Sequence, residues 1–530
     1  MTGMQRRGLL SGGAALGLGA ATGLARPALG QQASVLRMVP QANLTSIDPI
    51  WTTANITRNH AFMIYDTLFG LDAQLRPQPQ MAAGHTVEDG GTRVTITLRN
   101  GLLFHDGAPV LARDAVASIR RWMVRNPFGQ KLASATRQLV ALDDSRLEFR
   151  LAQPFPLLTA SLASIASCCF VMPERVAATD PFKQITDPTG SGPFRFLPGE
   201  FNSGSLMAYA KHQGYVPRDE AVSFTAGGKQ AHFDRIEWRI ITDAATAAAA
   251  LRNREVDWFE QPPPELQELL LRDKAVVVEN IDPRPNPAML RLNHLHPPFD
   301  TAAARRALLP AISQPDFMAA IVGDVPGDWS WIGAFTPGTA MASETGMDAL
   351  RSPRSTARAK ALLREAGALG PLTRLIGPTD ILAPSAMTQV AAALFRDLGL
   401  NADIALSDWG TVIQRRASRE PTAKGGWSAL VTAFGSFDWL DPSGHAVLRA
   451  NGPEAWFGWP AIPGMEQLRD AWFAAPDVAA QRSVCADMQR LVFEEVPFIP
   501  VGAYYSKTAL RRELKDRVSG FALFYGLRRA

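Results

Sequence analysis

Three runs within Thr356–Ser407 decide the fold class: "TARAKALLREAG" (Thr356–Gly367), "SAMTQVAAALFRDLG" (Ser385–Gly399) and "ADIALS" (Ala402–Ser407). In the first, Ala359, Leu362, Leu363 and Ala366 fall on one side at helical spacing; in the second, Met387, Val390, Leu394 and Leu398 do the same. Each pattern stops at a glycine, Gly367 or Gly399, the residue that closes a helix with no Cβ penalty. A strand-like run such as ADIALS follows. Helices alternating with strands imply α/β layers.

Upstream, "SVLRMVP" (Ser34–Pro40), "RVTITLR" (Arg93–Arg99) and "RLEFRLA" (Arg146–Ala152) read as strands, the last two with the period-2 alternation of half-buried sheet. "RNGLLFHDG" supplies turn residues before a helix over Asp114–Met123, whose Val116, Ile119 and Met123 share a face. Its start is poorly specified, because Leu111 stands where a Ser or Thr cap is expected. "VDWFE" (Val256–Glu260) passes into a further helix through Pro262–Pro264. The proline-rich "NIDPRPNPAMLRLN" (Asn280–Asn293) is the candidate crossing between domains.

A chain of 530 residues, 46% hydrophobic and 20% charged, exceeds a single core, so about two or three domains are expected. Near the N-terminus a twin arginine, Arg6-Arg7, precedes Leu9-Leu10 and a Leu/Ala/Gly run to Ala25, with small residues Ala28 and Gly30 before Gln31. This is the layout of an export signal, and the pair looks like the twin-arginine type even though Gln5 precedes it. The run is short and Gly-rich for a membrane span, although an uncleaved anchor is the alternative. Residues 1–30 are therefore read as a signal peptide and the mature chain as exported to a bacterial periplasm. Removing Arg6, Arg7 and Arg26 from the 54 Lys and Arg leaves 51 against 50 acidic residues, so nucleic-acid binding has no electrostatic argument. Three cysteines, Cys168, Cys169 and Cys485, cannot form a disulfide framework and read as small buried hydrophobes.

No G-x-S-x-G elbow, H-E-x-x-H pair, Walker-type loop or C-x-x-C occurs, which removes the common spacings for hydrolysis, metal chemistry and phosphate cradling. His294 and His296 would share one side of a strand, but Pro297-Pro298 and the lack of a nearby third ligand argue against a metal pair. No cofactor is expected.

Taken in order, several segments resemble one family, the periplasmic solute-binding proteins of ABC importers in the large class with oligopeptide, dipeptide and nickel binders. They are "QANLTSIDPIWTT" (Gln41–Thr53), "IYDTLFGLD" (Ile64–Asp72), "LRNGLLFHDGAPVLARDAVASIRRW" (Leu98–Trp122), "DPTGSGPFRF" (Asp187–Phe196), "RLNHLHPPFDTAAARRALLPAI" (Arg291–Ile312), "DWLDP" (Asp438–Pro442) and "LVFEEVPFIPV" (Leu491–Val501). The resemblance implies a two-lobed Venus-flytrap fold of the type II periplasmic-binding-protein kind with an extra inserted domain. Domain I would comprise 31–75, 185–285 and 490–530, domain II 76–184, and domain III 286–489. A monomer would close on a small-molecule or peptide ligand by hinge motion and dock on an ABC permease in the inner membrane, binding without catalysis.

The resemblance also implies site residues. Asp438 matches the family's aspartate that pairs with a ligand ammonium, and a carboxylate in an aromatic-walled cleft is a rational ammonium receptor because it is costly to bury unpaired. Asp441, before Pro442, reads as a turn residue. Trp409 matches a pocket-lining aromatic, and Asn43, Leu44, Thr45 and Trp51 belong to a first loop facing the cleft. Phe437 and Trp439 flank the aspartate, and Gly435 replaces a tryptophan, enlarging the pocket. Where dipeptide binders carry an arginine for the ligand carboxylate, the alignment puts Asp380, with Arg374 and Lys424 out of register. Two acids and no arginine would then face the ligand, favouring a cationic or amine-bearing solute or a longer peptide; Asp380 reads equally as a solvated loop residue. A nickel or metal-chelate carrier is the alternative in the same class. A secreted hydrolase using Asp438 and Asp380 and a chaperone-like binder of unfolded peptide are the readings outside it.

Overall fold

The computed structural model describes residues 34–530 apart from 53, 167 and 324. The expected signal peptide over 1–30 lies outside the described residues. Among those described, no helix is long and apolar enough to cross a membrane.

Sheets of seven, six and four strands organise the chain. In the seven-stranded sheet, Val35–Val39 runs parallel between Arg235–Arg239 and Trp258–Phe259. Its Leu36 and Met38, and Ile236 and Trp238 beside them, are wholly buried on one face, while Arg37, Arg235, Glu237 and Arg239 on the other are half-buried, the alternation of a sheet with one face in the core. Of the expected VDWFE strand only Trp258–Phe259 pairs, and the helix that follows begins at Pro264.

The four-stranded antiparallel sheet includes Arg93–Leu98 and Arg146–Leu151. Their alternation buries Val94, Ile96 and Leu98 on one strand and Leu147, Phe149 and Leu151 on the other. The helix Ala112–Arg125 packs on this sheet and starts two residues before Asp114. Leu111 offers no side-chain cap; instead the Asp114 carboxylate accepts the Leu111 N–H at 2.8 Å, which satisfies one free donor at the weak helix start.

The six-stranded sheet has the order Trp329–Ser330, Phe498–Tyr504, Asn286–Leu292, Ala429–Ala433, Leu372–Pro378, Asn401–Ser407. Its last three strands are mutually parallel neighbours. The helix Thr356–Glu365 leads into the first of these in chain order and Leu382–Asp397 connects it to the next; they bury Ala359, Leu363, Met387 and Leu394, and Gly367 and Gly399 adopt positive φ of 70° and 75° beyond their ends.

The seven- and four-stranded sheets share one apolar core and the six-stranded sheet has another, which gives two lobes. Chain crosses between them at Ile281–Pro285 and returns at Tyr505–Ser506. The return falls later than position 490, because Phe498–Tyr504 pairs with Asn286–Leu292 and keeps the chain in the second lobe. The two crossings lie side by side: Ile281 N–H donates to the Ser506 carbonyl at 2.9 Å and Asn286 Nδ2 to Ser506 Oγ at 2.6 Å. All three cysteines are free and buried.

Candidate functional site

The three parallel strands of the second lobe end on the same side, and each end leads to a residue singled out in the sequence. Asp380 follows Leu372–Pro378, Trp409 follows Asn401–Ser407, and Gly435 to Asp438 follow Ala429–Ala433. Loops beyond the carboxyl ends of parallel strands are where open α/β sheets bind ligands.

The Gly435–Asp438 turn is held twice. Asp438 N–H donates to the Gly435 carbonyl at 2.9 Å, and Gly435 N–H donates back to Asp438 Oδ2 at 2.8 Å. Between them Ser436 N–H donates to Asn286 Oδ1 at 3.1 Å, tying the turn to the first crossing. Phe437 is buried against the first lobe, stacked on Phe224 with ring centroids 5.0 Å apart, and the Arg284 guanidinium lies 4.4 Å from the centroid of the Phe437 ring. The turn thus sits at the hinge and touches both lobes.

Across the junction, Arg58 projects from the opening of the helix Asn55–Ile64. Its Nη1 lies 3.6 Å from Asp438 Oδ1, and the side chains are 12% and 21% exposed. The guanidinium also lies 4.9 Å over Phe521. Burial pushes the Asp438 carboxyl above its ordinary value, while Arg58 and the Gly435 N–H pull it back. A Cβ on Gly435 would stand 3.1 Å from Arg58 Nη2 and 3.3 Å from Asp438 Oδ2, so the room left by this glycine is occupied by the ion pair.

Beside Arg58, Glu260 is buried at the end of Trp258–Phe259. It accepts the Gln41 N–H at 2.7 Å and Asn59 Nδ2 at 3.1 Å, and burial pushes its carboxyl up to about 7. It links the end of the first strand, the first helix and its own strand.

The other expected residues divide into three groups. Asp380 is exposed, and its Oδ1 accepts the Trp409 N–H at 2.8 Å; Trp409 itself is half-buried beside Arg416. In the first loop, Asn43 bonds Ser203 and Gly204, Thr45 is exposed, and Trp51 lies exposed under Arg125. Leu44 and Trp439 turn into cores, Leu44 into that of the first lobe and Trp439 onto His445 with ring centroids 4.6 Å apart. Asp441 forms the expected turn, its Oδ1 accepting the Ser443 N–H at 2.8 Å. Arg374 is engaged with Asp403 at 2.7 Å.

Arg58, Glu260 and Arg284 were not anticipated. Arg58 carried one legible signal: it is a cation in the opening of a helix, where the dipole disfavours positive charge, directly after the loop expected at the cleft. His294 and His296 do not share a strand face, since the strand ends at Leu292; His296 Nε2 lies 2.8 Å from the Arg419 carbonyl, and no group of three or more metal-ligating side chains occurs among the described residues.

Two lobes joined by adjacent crossings, with a charged and aromatic cluster where they meet, define the class of two-lobed solute-binding proteins. This chain belongs to the bacterial extracellular solute-binding proteins, family 5, whose model matches residues 76–451. It is 35% identical over 473 residues to the probable peptide ABC transporter periplasmic-binding protein y4tO of Sinorhizobium fredii, covering 88% of this chain and 89% of that one. The glutathione-binding protein GsiB of Salmonella typhi is 26% identical over 520 residues, with 92% of each chain covered. In fold it is similar to the periplasmic binding protein DppA of Helicobacter pylori, solved with the peptide STSA: the TM-score is 0.78 at 20% identity, over 94% of this chain and 99% of that one.

Proposed function

We propose that this protein is the periplasmic binding component of an ABC importer, which captures a peptide-like or amine-bearing solute between its lobes and delivers it to an inner-membrane permease. The observation that carries the reading is Asp438: a carboxylate fixed by its own turn, next to Phe437 that stacks on the first lobe, and facing Arg58 of that lobe. A ligand ammonium there would gain a charge-assisted hydrogen bond that strengthens as closure excludes water. Membership of the family and likeness to a probable peptide ABC transporter component support the importer role.

In this reading the protein acts by binding alone. Domain I holds the seven-stranded sheet, domain II the four-stranded sheet and domain III the six-stranded sheet. Arg58 beside Asp438 balances the acid, so of the cationic or amine-bearing ligand or longer peptide expected from two unbalanced acids, an amine-bearing ligand of low net charge is favoured. Native mass spectrometry of the protein purified from its own periplasm tests this. An amine-bearing solute released on denaturation, which on re-addition raises the melting temperature without being converted, is the expected result. A bound solute lacking an amine, or turnover of the solute, contradicts it.

A further inference from the structure

The cations in and around the first lobe are not equally committed. Lys229 holds Asp66 at 2.7 Å and Arg284 holds Asp282 at 3.0 Å, both ordinary charge-assisted hydrogen bonds. Arg58 and Asp438 stand 3.6 Å apart, beyond hydrogen-bond reach. The slack leaves capacity on both sides. Among the described residues Arg58 Nε is buried with no hydrogen-bond partner, and the carboxylate's hydrogen bond from Gly435 goes to Oδ2, leaving Oδ1 open. Burying Arg58 Nε without a partner is unfavourable, and Asp438 Oδ1 beside it has an unfilled acceptor, so the pair can receive a ligand that brings both charges.

We propose that Arg58 is the anion receptor of this site and that the ligand presents an α-amino-acid head, with ammonium and carboxylate on one carbon. The inference rests on the reading of Asp438 as the ammonium receptor. The ammonium takes Asp438 Oδ1 and the carboxylate takes the Arg58 guanidinium, so one loose contact is replaced by two charge-assisted hydrogen bonds with no change in net charge. Separation sets the ligand class. Receptor charges 3.6 Å apart match an ammonium and carboxylate two bonds apart, whereas the termini of an extended dipeptide lie about 7 Å apart. Free amino acids with large side chains and γ-glutamyl peptides meet the condition; ordinary α-linked peptides bring only the ammonium. Gly435 leaves Arg58 its present position, since a Cβ there would stand 3.1 Å from Nη2 and shift the guanidinium by a few tenths of an ångström.

Calorimetry with the isomers γ-Glu-Leu and α-Glu-Leu tests the inference, with tetraalanine as a third probe. The γ-linked isomer is expected to bind the native protein at least about tenfold more tightly than the α-linked one. Arg58→Gln should remove that preference and Arg58→Lys should retain part of it, with circular dichroism confirming both folds. Equal binding of the isomers, preference for the α isomer, or a preference that survives Arg58→Gln overturns the inference. Binding of tetraalanine and α-Glu-Leu without γ-Glu-Leu overturns it while leaving peptide capture intact. Failure of all three to bind removes the peptide-like reading and the inference together.

Discussion

Asp438 and Asp380 follow the ends of two adjacent parallel strands of one sheet, yet they live in different surroundings. Asp438 is closed over by the first lobe, faces Arg58 and is pushed toward neutrality by burial. Asp380 is exposed and spends its carboxylate on the Trp409 N–H. Topology placed both acids at the same edge; what covers that edge separates them, and the covered acid is the proposed receptor. Sheet position is therefore necessary for this site and insufficient to define it.

The sharpest way to break the comparison is to remove each acid in turn. Asp438→Asn keeps the shape and removes the charge, so affinity for an amine-bearing ligand should fall about 10–100-fold, the equivalent of about 1.5–3 kcal/mol for a charged hydrogen bond, in calorimetry. Equal affinity in this variant would make Asp438 a packing residue like its neighbour Trp439. Gly435→Ala comes next, because its Cβ at 3.1 Å from Arg58 Nη2 must push the guanidinium away. A several-fold loss of affinity with about 1 kcal/mol of destabilisation is expected from denaturant unfolding.

Glu260 sharpens the comparison from the opposite lobe through pH. Its carboxyl ordinarily releases its proton near 4.5 and in the folded protein near 7, so between these values the folded state binds more protons than the unfolded one. Its contribution to stability therefore falls as pH rises from 4.5 to about 7 and is level beyond. Glu260→Gln should flatten that part of the pH–stability curve and raise the melting temperature at pH 8, relative to the native protein. An unchanged slope would mean that Glu260 is already ionised beside Arg58.

Asp380→Ala should give the smallest effect. It loses one exposed hydrogen bond at a helix start, about 0.5–1 kcal/mol of stability, with affinity within about twofold of native. A large loss of affinity would bring Asp380 into the site and restore a two-acid cleft.

Much of the fold was legible because it is written locally. Gly367 and Gly399 ended helices as expected, and the alternation of Arg93–Leu98 and Arg146–Leu151 gave half-buried strands. The crossing at Ile281–Pro285 was visible as a proline-rich passage. The site was only half legible, for a physical reason. Asp438 belongs to a short motif, whereas its partner Arg58 lies 380 positions away and meets it only when the lobes come together. Leu44 and Trp439 belonged to the right loops, but which way a loop side chain turns depends on cores formed by distant strands. Glu260 looked like the end of a strand; its burial follows from the helix Asn55–Ile64 packing over it through Asn59.

If Asp438 receives a ligand ammonium at the junction of the lobes, blocking that ammonium must cost affinity. The most direct measurement is the affinity cost of N-acetylating a ligand, taken by calorimetry on the native protein and on Asp438→Asn. The account predicts a cost of about tenfold or more in the native protein and almost none in the variant. A cost that is absent from the native protein, or undiminished in Asp438→Asn, would contradict it.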